Sequence, residues 1–222
     1  MPHFAAPDPE TPLPDGTAKK PSRIQLRNRA LILEAALSVF SKHGFGGATL
    51  DQIATEAGLS KPNILYYFDG KEDIHATLLG QLMDTWLDPL VELDPQGDPA
   101  EEILGYIQRK LDMSRDMPRE SRLFAMEVLQ GAPRIGSELR DYLKPLFADK
   151  CALIQKWVDQ GRLPPLDPPH LIFSIWSTTQ HYADFDTQVG VLLDGEDDPY
   201  ARASAHLADL FRGLLRPAST DT

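Results

Sequence analysis

Residues 46–71, GGATLDQIATEAGLSKPNILYYFDGK, contain the local signals that determine the fold of the N-terminal part of the chain. Thr49 followed three positions later by Gln52 predicts a capping box, in which each side chain bonds a backbone N–H at a helix start. Gly58 can adopt the positive φ that ends this short helix. Ser60 is a suitable N-cap for a second helix, and Pro62 lies in the permissive first turn of that helix. Two short helices joined by a tight glycine-containing turn predict a helix-turn-helix.

The second helix of this pair has an apolar face and a polar, aromatic face. At 100° per residue, we expect Ile64, Leu65 and Phe68 to pack inward. Hydroxyl groups on the outward face can bond phosphate oxygens, and amide and ammonium groups there can reach base edges. The outward residues that we expect to contact DNA are Lys61, Asn63, Tyr66 and Tyr67. A helix-turn-helix with a purely structural role is the alternative.

The charge distribution favours DNA contact by this segment only. The 222 residues carry a formal net charge of −11, which by itself argues against a nucleic-acid partner. Residues 19–71, however, hold eight Lys or Arg side chains against four Asp or Glu side chains. A basic module on an acidic body is therefore predicted, and only the module suits phosphates.

Beyond residue 22 nearly every segment has helical periodicity, and no run alternates long enough to propose a sheet. Proline and glycine clusters at 130–133, 160–169 and 194–199 separate the later helices. The pattern predicts an all-α protein with about nine helices. Residues 1–22 hold six prolines and end in a short basic arm, which is typical of a disordered tail.

Residues 44–74, GFGGATLDQIATEAGLSKPNILYYFDGKEDI, resemble the DNA-binding domain of the TetR family of bacterial regulators. The resemblance implies an all-helical homodimer with a three-helix N-terminal DNA reader and a larger C-terminal ligand domain. It further implies that Thr49 caps the second helix near a phosphate and that the helix beginning at Ser60 enters the major groove. Lys71 would open the fourth helix beside the DNA backbone. This chain has Leu65 where tyrosine is common in the family.

Three later segments resemble the RutR-like, pyrimidine-responsive branch of that family. They are ESRLFAMEVLQGAP (120–133), KPLFADKCALIQKWVDQGRL (144–163) and HLIFSIWSTTQHYADFDTQV (170–189). The resemblance implies an effector such as uracil or thymine, whose binding lowers the affinity for a palindromic operator in double-stranded DNA. The expected parts of the chain are a tail (1–22), a DNA-binding domain (23–70), a ligand-binding and dimerisation domain (71–216) and a second tail (217–222).

The third of these segments contains a polar group where a helix should face the core. Helical pitch places Gln180 within about 60° of Trp176, and an inward amide costs about 1 to 3 kcal/mol unless it finds partners. Uracil requires a flat apolar surface and a group that both donates and accepts, which Trp176 and Gln180 supply. Ordinary core packing and an amide bonded to a neighbouring helix are the alternatives. Weaker candidates for the effector site are Thr179, Trp86 and Phe124.

The last two long helices are predicted to form the homodimer interface. The candidate interface residues are Leu171, Ile175, Tyr182, Leu207, Leu210, Phe211 and Leu214. No 18-residue apolar run and no signal peptide are present, so we expect a soluble, cytoplasmic protein that joins the nucleoid when bound to its operator.

No spacing of metal ligands, nucleophile elbow or glycine-rich phosphate loop occurs, so we expect no metal, no cofactor and no enzyme. One alternative is a TetR-type regulator of another small planar or hydrophobic effector. A more remote one is a helical enzyme or adaptor with a vestigial reader.

Overall fold

A computed structural model describes residues 22–194 and 198–216 of the chain. Apart from residue 22, both predicted tails lie outside these described residues, and so does the acidic stretch 195–197. The helices are α1 (Arg23–Gly47), α2 (Leu50–Ala57), α3 (Lys61–Tyr67), α4 (Lys71–Val91), α5 (Pro99–Asp116), α6 (Pro118–Leu129), α7 (Gly136–Glu138), α8 (Lys144–Asp159), α9 (Pro168–Asp184), α10 (Asp186–Leu192) and α11 (Pro199–Leu215).

All regular structure in the described ranges is helical, so the all-α prediction is confirmed. The three-residue α7 continues through a π-helical turn (Leu139–Leu143) into α8. When these are taken as one helix, the described residues form ten helices rather than about nine. The sequence pattern did not show the break at Phe185, which separates α9 from the short α10.

The predicted capping signals around α2 and α3 are present. Thr49 accepts from the backbone N–H of Gln52, whose side chain in turn accepts from the backbone N–H of Thr49. Gly58 ends α2 in the left-handed conformation, with φ 64° and ψ 28°. Ser60 caps α3 by accepting from the backbone N–H of Asn63. The placement of Leu65 on the inward face was wrong, because this side chain is 48% exposed.

Contacts within the chain divide it into two compact units. Among the described residues, the first unit comprises 22–85 together with 122–135, and the second comprises 86–121, 136–194 and 198–216. The chain therefore passes from one unit to the other within α4 and again within α6. The functional boundary between residues 70 and 71 remains a prediction.

Each unit has a core of buried apolar side chains. In the first, α1 packs on α2 and α2 packs on α3, and the core side chains include Ile32, Phe40, Ile53, Ile64, Phe68 and Leu79. In the second, α5 packs against α9 and α11, and the core side chains include Ile103, Tyr106, Ile107, Trp157, Ile172, Ile175 and Phe211. Within the described ranges, no helix has the length and apolar composition that crossing a bilayer requires.

Candidate functional site

The polar face of α3 is available to an external partner. Lys61, Asn63 and Tyr66 are exposed, and Tyr67 is half-buried. Because Ile64 is buried in the core of the first unit, this single inward anchor fixes which side of the short helix faces outward. The outward placement of these four predicted DNA contacts agrees with the helical pattern, whereas contact with DNA stays a prediction.

Residues of α1 orient the hydroxyl groups of both tyrosines. Gln25 Nε2 donates to Tyr66 Oη at 3.2 Å, and Asn28 Nδ2 donates to Tyr67 Oη at 3.0 Å. The two rings pack edge to face with centroids 4.9 Å apart. Since each phenol oxygen accepts from an amide, its own O–H remains available as a donor, as a phosphate oxygen requires. The sequence pattern did not show this support by α1.

Both lysines that we predicted to contact DNA have partners within the protein. Lys61 Nζ forms an exposed ion pair with Asp51 Oδ2 at 3.0 Å, which is weak in water and easily exchanged for a phosphate. Lys71 Nζ donates to the carbonyl oxygens of Phe45 and Ala48 at 2.8 and 2.9 Å. Lys71 therefore connects the end of α1 to the start of α2, and one of its three N–H groups remains for DNA.

A first prediction concerns Tyr67. We expect Tyr67→Phe to weaken binding to an operator selected from random DNA by about threefold to tenfold, since one net hydrogen bond contributes about 1 kcal/mol. Fluorescence anisotropy measures this affinity. The dependence on salt should remain unchanged because a neutral hydroxyl displaces no counterion, whereas Lys61→Ala should reduce the log–log salt slope by about 0.9 for each DNA reader of the dimer. Unaltered affinity in Tyr67→Phe would show that α3 docks differently.

The end of α6 and the loop after it belong to the first unit and contact its aromatic core. Arg134 Nη1 donates to Glu127 Oε2 at 3.0 Å, and the Arg134 backbone N–H donates to Glu127 Oε1 at 2.7 Å. The Arg134 guanidinium lies 3.4 Å from the ring centroid of Phe45, in a cation–π contact. Phe45 also meets the buried ring of His75, with centroids 5.0 Å apart. Burial lowers the pKa of His75 to about 4, so this ring is neutral at pH 7.

The predicted effector residues on α9 lie in the second unit. Trp176 is half-buried, its Nε1 donates to Tyr106 Oη at 2.6 Å, and its ring centroid is 5.9 Å from that of Phe147. The indole N–H therefore already has an acceptor, and Trp176 offers an effector its ring. Thr179 is fully buried and donates its hydroxyl to the Ile175 carbonyl at 2.8 Å, which leaves only acceptor capacity.

Gln180 lies one turn after Trp176 and is half-buried. Its side-chain amide forms no hydrogen bond with any part of the chain that the structure describes, 22–194 and 198–216. An amide in this position has two donors and an acceptor without protein partners. The Gln180 amide therefore has no protein partner among the described residues, as predicted, but the side chain is half-buried rather than fully buried in the core.

Trp86 contributes a buried indole to the same unit, and it brings in a residue that we had not predicted. Lys110 Nζ lies 4.4 Å from the ring centroid of Trp86 and donates to the Trp86 carbonyl at 3.4 Å. Lys110 itself is 1% exposed. Burial lowers its pKa to about 7, and the charge of Asp184 partly opposes this shift. A sequence signal existed, because Lys110 interrupts the buried stripe of α5 at helical spacing from Ile103 and Ile107.

Phe124, the remaining candidate, is half-buried on α6 in the first unit. The structure therefore gathers Trp86, Trp176, Thr179 and Gln180 in one unit and assigns Phe124 to the other. Its role in an effector site stays a prediction.

Several predicted interface residues are in fact core residues. Leu171, Ile175, Leu207 and Phe211 are each less than 5% exposed within the single chain, so the prediction that they face a partner was wrong. Leu210 and Leu214 remain about half exposed, as does Phe173 on α9, whereas Tyr182 is half-buried. Periodicity showed that these helices are apolar but could not tell which apolar sector meets their own core.

Comparisons with known proteins match both parts of the chain. Residues 32–77 match the family described as Bacterial regulatory proteins, tetR family, and residues 79–218 match YcdC-like protein, C-terminal region. The HTH-type transcriptional regulator RutR of Escherichia coli (strain K12) is 50% identical over 173 residues, which cover 78% of this chain and 82% of RutR. The chain belongs to the TetR family. It is a DNA-binding transcriptional regulator, and its relatives are regulators rather than enzymes.

Other TetR-family relatives agree in sequence and in fold. An HTH-type transcriptional repressor of Streptomyces coelicolor is 31% identical over 147 residues, covering 65% of this chain and 72% of the repressor. The crystal structure of a TetR-like transcriptional regulator from a Rhodococcus species superimposes with a TM-score of 0.63 at 20% identity, covering 88% of this chain and 98% of that one. Regulators of the TetR family bind DNA and small ligands and form dimers.

Proposed function

We propose that this regulator represses genes of pyrimidine catabolism and is released from a palindromic operator by uracil or thymine. The observation that carries the proposal is Gln180, a half-buried amide without a partner in the described chain, one turn from Trp176. The 50% identity to RutR supports the same effector class. It agrees with the resemblance of the C-terminal segments to the pyrimidine-responsive branch.

The chemistry of the effector fits these two side chains. A pyrimidine-dione is planar and carries a carbonyl oxygen beside each ring N–H. An amide can therefore form a paired donor and acceptor contact with one edge of the ring, while an indole packs against a face. Trp86 and Thr179 belong to the proposed site as walls, and the role of Phe124 stays a prediction.

On the DNA side, we propose that α3 enters the major groove and that Lys61, Asn63, Tyr66 and Tyr67 contact it. Thr49, Ser60 and Lys71 complete this proposed interface by lying near the sugar-phosphate backbone of the DNA. Two readers of a dimer must meet successive major grooves about 34 Å apart, so a small change in their spacing abolishes binding. The effector shifts the equilibrium between two arrangements by its differential affinity for them. α4 is one of two helices that carry residues of both units, and we assign this coupling to it.

The dimerisation proposal rests on large apolar side chains of the second unit that stay exposed in the single chain. Phe173 of α9 and Leu210 and Leu214 of α11 are between 48% and 50% exposed. Large apolar side chains left exposed on a charged protein are typical of subunit interfaces. We further propose that the dimer acts in the cytoplasm and joins the nucleoid when it is bound to DNA.

A thermal-shift panel on effector-free protein tests the effector class. Ligand at one hundred times its Kd stabilises the folded state by about 2.7 kcal/mol, so uracil and thymine should each raise the melting temperature by several degrees. Cytosine and unrelated aromatic compounds serve as controls. A shift with another planar or hydrophobic compound, and none with uracil or thymine, would replace the proposed effector. Failure to bind any palindromic DNA even at low salt would favour an enzyme or adaptor with a vestigial reader.

A further inference from the structure

The interior of the second unit contains a lysine with few acceptors around it. Lys110 on α5 is 1% exposed, and its Nζ has one hydrogen bond within residues 22–194 and 198–216, to the Trp86 carbonyl at 3.4 Å. The ammonium has three N–H groups, and the ring of Trp86 at 4.4 Å offers only a π-face. Two of the three N–H groups therefore have no acceptor among the residues that the structure describes.

A second donor beside Lys110 is also without a partner. Trp86 Nε1 is buried and forms no hydrogen bond with the described residues. Trp86 thus supplies Lys110 with its carbonyl and its ring, while its own N–H remains unsatisfied. Buried donors without acceptors cost free energy, and a ligand with oxygen acceptors removes that cost.

Two interactions connect α5 and α9 near Lys110. One turn before Lys110, Tyr106 accepts the N–H of Trp176 at 2.6 Å. One turn after Gln180, Asp184 is the carboxylate whose charge acts on Lys110. Asp184 also accepts from Ser121 Oγ at 2.5 Å. Along α9, Gln180 therefore lies midway between Trp176, which bonds Tyr106, and Asp184, whose charge acts on Lys110.

A buried lysine with one hydrogen-bond acceptor destabilises the fold. Burial of the ammonium is unfavourable and lowers the pKa of Lys110 to about 7, although the charge of Asp184 opposes this. A methionine has nearly the same length, needs no acceptor and suits the apolar neighbours of α5. Groups retained against stability are typical of binding sites.

We propose that Lys110 binds the effector directly, with its Nζ donating to a carbonyl or ionised oxygen of the ring. This inference rests on the proposed function and specifies the chemical class of the effector. Lys110 and Trp86 form a donor-rich side, which selects heterocycles with oxygen acceptors on the facing edge. Uracil and thymine carry two such oxygens, whereas cytosine replaces one by an amino donor and purely hydrophobic compounds have none.

The test is isothermal titration of the full-length chain, freed of effector by unfolding and refolding, with uracil, thymine and cytosine as probes. Lys110→Met removes the donor, and Lys150→Met is the matched control. Lys150 is also a buried lysine whose Nζ donates to a carbonyl, that of Val91 at 2.9 Å, but it lies on α8. We expect Lys110→Met to weaken uracil binding at least tenfold, and Lys150→Met to stay within threefold of the wild type.

The melting temperature of effector-free Lys110→Met should equal or exceed that of the wild type, so lost binding would not reflect lost folding. Uracil binding by Lys110→Met within threefold of a binding-competent wild type would overturn the role of Lys110 and leave the proposed effector standing. Equal affinity of the wild type for uracil and cytosine would overturn the proposal that Lys110 and Trp86 select rings with oxygen acceptors. A wild type that binds neither uracil nor thymine would overturn the proposed effector and, with it, this inference.

Discussion

Arg134→Ala should lower the free energy of unfolding by about 3 kcal/mol. Glu127 is 1% exposed, and its carboxylate has two partners, the guanidinium and the backbone N–H of Arg134. In Arg134→Ala the buried Glu127 carboxylate keeps only the backbone N–H of residue 134 as a partner. It also removes the cation–π contact with Phe45. Denaturant titration followed by circular dichroism measures the loss.

A double-mutant comparison separates the ion pair from general damage. In Glu127→Gln/Arg134→Ala the buried group is neutral, so we expect this double variant to be more stable than Arg134→Ala alone. Arg134→Lys keeps the charge but not the planar guanidinium, and it should fall between the wild type and Arg134→Ala. A loss below about 1 kcal/mol in Arg134→Ala would show that the pair contributes little to the unit.

The surroundings of the Arg134–Glu127 ion pair could not be predicted from the sequence. The caps at Thr49 and Ser60 and the glycine stop at Gly58 were predictable, because each depends on groups within four residues. That residues 122–135 pack in one unit with the DNA reader depends on contacts between Arg134 and Phe45, 89 positions apart in the sequence. No local pattern encodes such a pairing.

The helix faces were only partly predictable for a related reason. Angular sorting found the apolar sectors of α9 and α11, but each helix has one sector on its own core and another at the surface. Ile175 and Phe211 lie in the core, whereas Phe173 and Leu214 are exposed. Both sectors look alike in sequence because each contains large apolar side chains. On α3, a single buried anchor, Ile64, leaves Leu65 at the surface.

Lys110 was missed because the charged residues beside it suggest a solvated helix face. The stretch QRKLD, residues 108–112, has three charged side chains in five positions. In the structure the buried residues of α5 include Tyr106, Ile107, Lys110 and Leu111. The spacing of Lys110 from the apolar residues, rather than the local charge, carries the information about burial.

Gln180→Leu should abolish the release of operator DNA by uracil. Leucine has a similar volume and no polar groups, so the effector loses the donor and the acceptor that the amide offers. An unsatisfied polar edge in a desolvated site costs about 2 to 4 kcal/mol, which corresponds to a loss of roughly 30-fold to 1000-fold in effector affinity. In the absence of effector the variant should still bind the operator. Anisotropy of labelled operator during a uracil titration measures the release.

Stability provides the internal control for this last prediction. The Gln180 amide has no hydrogen-bond partner among residues 22–194 and 198–216, so leucine should leave the melting temperature of effector-free protein unchanged or raise it. Gln188→Leu is the matched variant, since Gln188 is an exposed glutamine on α10. It should respond to uracil like the wild type. If uracil releases Gln180→Leu from the operator at the same concentrations as the wild type, this amide is not part of the effector site. The proposed paired contact with one edge of the pyrimidine would then have no protein partner.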